Sequence, residues 1–329
     1  LSSIGERDLG FVTCMSVADS QYLVGILGRV TSSGFEAGMM GVVVGTQVVV
    51  TTAGPVEVRF LPGEKPPVLL FPGGHTTAAT PIGEDIYTEI GHSVLCFSRP
   101  GYGRTEVGPL TAAEFVPLVA QTSRHLGIDR AAAAVGVSFG GLQAIHTAVA
   151  APDLVPRLIL HSCAPSALTF PDTRLERGAV PLVFGPRTQR VTWAAIRRMV
   201  ASDAGLRIMM KSLTRLPDDR WWPQMSDADR RSARATFDAM DSGSGFVNDI
   251  RQASPRRDTY RAHIQTQVTA PTLVTASPHD GGVSLRHAHN FIETIRQAQL
   301  VETTAPTHFY WIGQGRAGIA DAVSDFLVG

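Results

Sequence analysis

No one sign of charge dominates this 329-residue chain: Lys+Arg and Asp+Glu balance at 29 each. Such a balance provides no net field to recruit nucleic acid or an anionic membrane surface, so neither is expected as a partner. Cysteine is scarce. Cys14, Cys96 and Cys163 are odd in number and scattered, which fits neither a disulfide framework nor a metal site, and they read as small buried hydrophobes. N-x-S/T sequons are absent, so nothing signals a glycosylated secreted protein. Long apolar runs are absent too, because the stretch AGMMGVVVGTQVVV from Ala37 to Val50 is too short to span a bilayer. The residues before it lack a basic n-region followed by an apolar h-region, so they do not read as a signal peptide and a cytoplasmic location is expected. Internal repeats and low-complexity segments are likewise missing. What remains is a globular composition, 44% hydrophobic and 18% charged, long enough for one large domain or a domain with an insertion.

The informative stretch is Ala131 to Leu142, AAAAVGVSFGGL, which contains the G-x-S-x-G pentapeptide Gly136-Val137-Ser138-Phe139-Gly140. An apolar run precedes it and a helix-compatible segment follows. A strand that turns sharply into a helix can hold one serine in a strained conformation with its hydroxyl exposed. Side chains at the flanking glycines would collide inside so tight a turn. The amide of Phe139, in the first helical turn, would face a developing oxyanion. The bland alternative is a glycine-rich turn with an ordinary serine in it, so the neighbouring segments must decide.

Residues from Leu1 to about Gly38 read as an extension outside the core, with Met39 or Met40 as a candidate natural start. Gln47–Thr52 and Val56–Leu61 are β-branched runs separated by Ala53-Gly54-Pro55, which suggests a hairpin. Pro67–Phe71 predicts a buried strand ending in Pro72-Gly73-Gly74-His75, then a helical stretch to about Ile90. His92–Phe97 predicts a strand ending in Ser98-Arg99-Pro100-Gly101-Tyr102-Gly103-Arg104. Thr111–Leu126 predicts an amphipathic helix capped by Thr111, with Glu114 three residues on. The strand and elbow follow, then a strand over Val155–His161. Strands alternating with helices at this spacing predict a parallel doubly wound sheet, whose reactive groups gather at the carboxyl ends of its strands. Residues 166–265 break the alternation. They carry helical periodicities and the apolar markers Phe170, Phe184, Trp193, Met199, Met209, Met210, Trp221 and Trp222. A helical cap over the site is expected there, its aromatics more as packing than as substrate contacts. The sheet resumes at Ala270–Thr275, followed by a helix over Leu285–Gln299, a short strand over Leu300–Thr304 and a final helix over Ala317–Leu327.

Five segments in this order resemble the α/β-hydrolase family, specifically its capped, lipase/esterase-like serine members. FPGGH resembles the family's oxyanion loop, with Pro72 where histidine is commoner. SRPGYGRT resembles its D-x-R-P-G-Y-G-x-S segment, departing at Ser98 and Thr105. GVSFGG matches the nucleophile elbow. PTLVTASPHDGGV resembles the strand and loop that deliver the acid, and THFYWIG the loop that delivers the histidine, with Thr307 in place of glycine. The resemblance covers about Val48 to Leu327 and leaves the cap unmatched. It implies an α/β-hydrolase core over residues 39–165 and 266–329, interrupted by the cap.

Elementary chemistry assigns the same roles. A serine hydroxyl needs an adjacent base, histidine titrates in the right range, and a buried carboxylate fixes its tautomer. The order Ser138, Asp280, His308 is the one expected of this fold. His279, beside Asp280, is the weaker candidate base. His287 and His289 fall on a helix, and His146 and His161 within core elements. His75 abuts the oxyanion loop, either to contact substrate or to brace that loop. Ser162-Cys163-Ala164-Pro165 offers no rival carboxylate. Arg99 reads as a structural brace. The expected activity is hydrolysis of carboxylic esters of small to medium acyl chains through an acyl-enzyme on Ser138, with the amides of Gly74 and Phe139 as oxyanion hole. No cofactor or metal is required, and the partner is a small-molecule ester. Another acyl bond (thioester, lactone, amide or carbon–carbon) and a non-catalytic binding role are the alternatives. Oligomeric state is not legible.

Overall fold

The structure is a computed structural model that describes residues 45–171 and 183–328. The expected N-terminal extension, with Cys14, and the candidate start at Met39 or Met40 both lie outside the described residues. Eight strands form one sheet: β1 (Gln47–Thr51), β2 (Gly54–Leu61), β3 (Lys65–Phe71), β4 (His92–Phe97), β5 (Ala133–Val137), β6 (Leu158–His161), β7 (Thr272–Ala276) and β8 (Ala298–Glu302). Their order is β1-β2-β4-β3-β5-β6-β7-β8. The β1–β2 and β2–β4 pairs are antiparallel and all others are parallel. This is the α/β-hydrolase architecture expected from the sequence.

Side-chain alternation builds the two layers that cover the sheet. Val68 and Leu70 of β3 join one core with Val94, Cys96, Val135, Ile159 and Leu273. Leu69 and Phe71 join the opposite one with Leu95, Phe97, Ala134, Leu160 and Val274. Strands buried on both faces read as continuous apolar runs, as VLLF and SVLCF do. The short helix α1 (Asp85–Thr88) and the C-terminal helix α11 (Arg316–Val328) cover the first face, while α2 (Ala112–His125), α3 (Gly140–Ala150) and α10 (Leu285–Thr294) cover the second. Thr111 caps α2 in a complete capping box with Glu114, as its spacing predicts.

Two expected helices are shorter than their patterns. The helix expected to run to Ile90 is confined to Asp85–Thr88. Upstream, Thr77, Thr80 and Glu84 side chains bond nearby backbone amides, and Gly83 takes φ +90°, so local polar bonds outcompete helix. The helix from Leu285 ends at Thr294, since Ile295 turns to extended backbone and β8 begins at Ala298 to pair with β7.

Between β6 and β7 the described residues contain no strand of the sheet. They form α4 (Gln189–Val200), α5 (Asp203–Lys211), α6 (Asp218–Trp221), α7 (Asp227–Ala239), α8 (Gly245–Gln252) and α9 (Asp258–Thr266). Trp193, Met209, Met210, Trp221 and Phe237 from this insertion are buried in the same core as Val68 and Leu70. They are packed among apolar side chains, as a packing role for the insertion's aromatics requires. Cys96 and Cys163 are buried free thiols, as small hydrophobes should be.

His161, at the end of β6, is fully buried. Its ring is bonded to the Tyr87 hydroxyl and to Thr275 Oγ1, each at 2.7 Å, and stacks on Tyr310. Burial drives its pKa down to about 3, and that of His146 in α3 to about 4. Both therefore stay neutral in the folded chain while unfolded histidine protonates near 6.5. Their contribution is intact above about pH 6.5 and is lost as pH falls towards 4, at up to about 1.4 kcal/mol per pH unit for each. Urea unfolding at fixed pH should show stability declining from pH 6.5 to 5.5, above the range in which carboxylates titrate; a flat profile would show that these two rings and His75, whose pKa burial also lowers, are not held neutral.

Candidate functional site: a serine, a histidine and a carboxylate on one sheet rim

Ser138 directly follows β5 and takes φ +51°, a left-handed conformation that disfavours side chains. Its backbone is nonetheless satisfied. The amide donates to His161 O at 3.1 Å, and the carbonyl accepts from Gly141 N and Ala164 N. Glycine is obligatory around it. A Cβ at Gly136 would lie 2.5 Å from Gly141 Cα, one at Gly140 would strike the Phe71 and Pro72 carbonyls, and one at Gly141 would meet Cys163 Sγ at 2.8 Å. The strand-to-helix reversal thus demands the G-x-S-x-G-G spacing.

Asp280 lies in the loop after β7 and is 2% exposed. Its Oδ1 accepts from the amides of Gly282 and Val283 at 2.7 and 2.8 Å. That bond pair aims Oδ2 at His308 Nδ1, 2.8 Å away. Gly282 makes room for the ring, since a Cβ there would come within 2.9 Å of His308 Cγ. With Asp280 ionised, Nδ1 carries the proton and Nε2 is left as an acceptor. Burial opposes a charged imidazole, but the charge and hydrogen bond of Asp280 outweigh it and raise the His308 pKa above 6.5. His279, the rival base, is half-buried, with its backbone carbonyl bonded to Arg215 N.

The structure therefore joins Asp280 to His308 directly. It does not join either to Ser138 by a hydrogen bond: among the described residues the Ser138 hydroxyl and His308 Nε2 have no partner. All three sit beyond the carboxyl ends of β5, β7 and β8.

The loop after β3 closes the other side of Ser138. A Cβ at Gly73 would lie 3.0 Å from Ser138 Cβ, and one at Gly74 3.1 Å from the Phe139 ring. Among the described residues, the amides of Gly74 and Phe139 have no hydrogen-bond acceptor. Two unpaired amides beside one serine are an unusual expense in a packed interior. They are the two amides named above as candidate oxyanion donors.

His75 continues this loop at φ +63°. Its ring packs against Phe246, Phe184 and Trp193 with centroids 3.8, 4.5 and 5.2 Å away. Nδ1 meets Ser242 Oγ at 2.8 Å, which also accepts from Trp193 Nε1. The His75 carbonyl accepts from Asp241 N. Burial first, then the Arg99 charge, lowers its pKa to about 3, so it is a neutral ring. These contacts brace the loop.

Arg99 is the brace the sequence suggested, 5% exposed. Its Nε bonds Pro72 O and its Nη2 bonds Gly73 O, both at 2.8 Å. Its partner Asp249, from α8, is a residue the sequence did not single out. Neither did Leu213–Arg215 stand out, yet this strap reaches from the insertion to the loops that carry Asp280 and His308. Leu213 O accepts from Gly281 N and His308 N, and Arg215 Nε donates to Asp280 O at 2.7 Å. No local signal announces such pairings, because backbone carbonyls have no sequence signature. One departure from the family pattern is compensated. Where Ser98 replaces aspartate, the buried Glu57 of β2 supplies a carboxylate that accepts from Ser98 Oγ, Arg104 N and Arg104 Nε.

His308 should titrate above 6.5 in the free protein, as followed by the histidine ring resonances in NMR. Asp280→Asn removes the charge that raises it while leaving the burial that lowers it, so the pKa should drop below the ordinary value. An unchanged His308 titration in that variant would show that Asp280 does not govern the ring.

Residues 66–311 match the family model for the alpha/beta hydrolase fold. An uncharacterized hydrolase of Bacillus subtilis is 29% identical over 272 residues, covering 80% of this chain and 92% of that protein. An esterase of Mycobacterium tuberculosis is 34% identical over 140 residues, 41% of this chain and 46% of its own. Among solved structures, an alpha/beta hydrolase fold protein from Nakamurella multipartita superimposes with a TM-score of 0.70 at 22% identity, over 86% of this chain and 99% of that one. The enol-lactonase of Burkholderia xenovorans does so with 0.63 at 20% identity, over 86% and 100%. By the family match over most of its length, the chain belongs to the alpha/beta hydrolase fold family.

Proposed function

We propose that this hydrolase cleaves carboxylic esters through an acyl-enzyme on Ser138. The observation that carries the reading is the bonded Asp280–His308 pair on the same rim as a strained, unpaired Ser138 hydroxyl. His308 Nε2 removes the hydroxyl proton as Ser138 Oγ attacks the ester carbonyl carbon. The carbonyl π electrons move onto oxygen, and the amides of Gly74 and Phe139 receive the oxyanion, each such donor being worth about 3–4 kcal/mol of barrier. Collapse of the intermediate expels the alcohol, which takes its proton from His308. Water, deprotonated by the same imidazole, then attacks the acyl carbon; the bond to Ser138 Oγ breaks, Oγ regains its proton from His308, and the acid is released. Asp280 holds the His308 tautomer and stabilises the imidazolium throughout. Only protein groups are used in this scheme.

The helices between β6 and β7 act in this reading as a cap over the rim. Support comes from Phe246 against Gly74, Trp193 against His75 and the Leu213–Arg215 strap against both catalytic loops. His75 stands where it can meet substrate only through Nε2, since Nδ1 is engaged by Ser242. An enclosed apolar roof rewards acyl length until it is full, by up to about 0.8 kcal/mol per buried CH₂.

Ser138→Ala should lower kcat on p-nitrophenyl butyrate by about 10⁴–10⁶-fold and abolish labelling by a fluorophosphonate, with the thermal unfolding transition unchanged. A folded Ser138→Ala protein with near-parental turnover would refute the mechanism. A parental protein that neither labels nor hydrolyses esters, thioesters or lactones would favour a binding role.

Across p-nitrophenyl esters, kcat/KM should rise from acetate to about butyrate or hexanoate and then fall. Undiminished activity on palmitate, with activation at an oil–water interface, would instead indicate an open lipase groove.

A further inference from the structure

The two unpaired amides beside Ser138 are held differently. The Phe139 amide is fixed by the start of α3. The Gly74 amide belongs to a flexible Gly73-Gly74 peptide, whose plane would be free to rotate if nothing held it. Because the peptide is planar and trans, Gly73 O and Gly74 N–H point in opposite directions. Whatever holds the carbonyl therefore aims the amide.

Two groups hold it. Thr76 Oγ1 and Arg99 Nη2 each donate to Gly73 O at 2.8 Å. Arg99 Nε fixes the preceding carbonyl of Pro72 at 2.8 Å as well. The guanidinium is itself oriented by Asp249, in a two-point pair at 2.5 Å (Nη1–Oδ1) and 2.8 Å (Nη2–Oδ2). Tyr102 closes the network by donating its hydroxyl to Asp249 Oδ2 at 2.5 Å, and its ring lies under the guanidinium, 4.8 Å from centroid to Cζ. Asp249 is 2% exposed. Its helix is pressed onto the Arg99–Tyr102 loop: Ser244 N and Gly245 N both donate to Gly101 O at 3.0 Å. Side chains are excluded at this contact, since a Cβ at Gly101 would lie 2.7 Å from Gly245 N.

We propose that Asp249, carried by α8 of the helical insertion, is a positioning residue that aims the Gly74 amide at the reacting carbonyl by way of Arg99. This rests on the reading of Gly74 as an oxyanion donor. The insertion is then part of the catalytic apparatus: it orients a group on the core loop that it does not itself touch through Asp249. A fixed, two-point carboxylate–guanidinium pair suits the task, because its planar fork sets direction as well as distance.

The test compares Asp249→Asn, Arg99→Met and the milder Tyr102→Phe, with kcat expressed per site titrated by a fluorophosphonate, so that misfolded protein is not counted. In Asp249→Asn, kcat on a p-nitrophenyl ester should fall about 10- to 100-fold, part of the 10²–10³ that loss of one oxyanion donor costs, with KM within about threefold. A trifluoromethyl ketone, which forms a tetrahedral adduct, should lose affinity by the same factor, while an unreactive amide analogue of the substrate binds as before. Arg99→Met should lose as much as the Arg99→Met/Asp249→Asn double variant, because the carboxylate acts only through the guanidinium. Tyr102→Phe should show the same pattern with a smaller loss, and it reads the network if Asp249→Asn does not fold. A kcat per titrated site within twofold of the parent in the folded variants would overturn the positioning role. Equal losses in ketone and amide affinity would overturn it too, by showing general damage to the pocket. Ser138→Ala separates the two readings: if it still turns over, the acyl-enzyme mechanism fails, whereas an inactive Ser138→Ala beside a fully active Asp249→Asn removes the positioning role alone.

Discussion

The reversal of the chain at Ser138 is the constraint around which the rest is arranged. A residue at φ +51° costs roughly 1–3 kcal/mol and persists only when its surroundings over-determine it. Here they do. Gly136, Gly140 and Gly141 let β5, α3 and the Phe71–Pro72 backbone approach to distances that no Cβ would permit, and both backbone groups of Ser138 are bonded. The strain presents one hydroxyl on the rim of a parallel sheet, where the loops after β3, β4, β7 and β8 also end.

Each of those loops is fixed by a side chain or backbone group that is not itself a candidate for the chemistry. Arg99 braces the loop after β3, Gly282 and Val283 orient the Asp280 carboxylate, and Leu213 O holds the Asp280 and His308 loops together. The buried Arg99–Asp249 pair has little to offer net stability, because desolvating two charges offsets most of their attraction. What it supplies is direction. Similarly, Asp280 is not needed as a source of charge alone; Oδ1 is tied to two amides so that Oδ2 faces His308.

The electrostatics divide the histidines by environment. His161 and His146 are buried without a charged partner and are held neutral far below their ordinary range. His75 lies beside the permanently charged Arg99 and is likewise neutral. His308 faces the Asp280 carboxylate, which lifts its pKa instead. One residue type is thereby distributed between inert packing and a group that can accept a proton near neutral pH.

Much of this was readable in the chain itself, because the physics involved is local. β-Branched and continuous apolar runs predict the strands, the Thr111–Glu114 spacing predicts a capped helix, and glycines at set offsets from Ser138 predict a turn that tolerates no Cβ. The alternation of strands and helices predicts a parallel doubly wound sheet, and the resemblance of five ordered motifs to the α/β-hydrolase family implies the rest of the fold. Local patterns overreached at Thr76–Glu84 and after Thr294, where side-chain bonds to backbone and pairing with β7 decided the outcome. Only the tertiary structure could decide which groups meet across long separations. Asp249 lies 150 positions from Arg99, and Glu57 lies 41 from Ser98. Leu213 acts through a carbonyl that every residue possesses. Such pairings depend on how the insertion seats on the sheet, a packing problem among helices whose apolar faces are mutually compatible in many arrangements. The sequence by itself determined the fold and the residues capable of chemistry; three-dimensional packing decided which partners aim them.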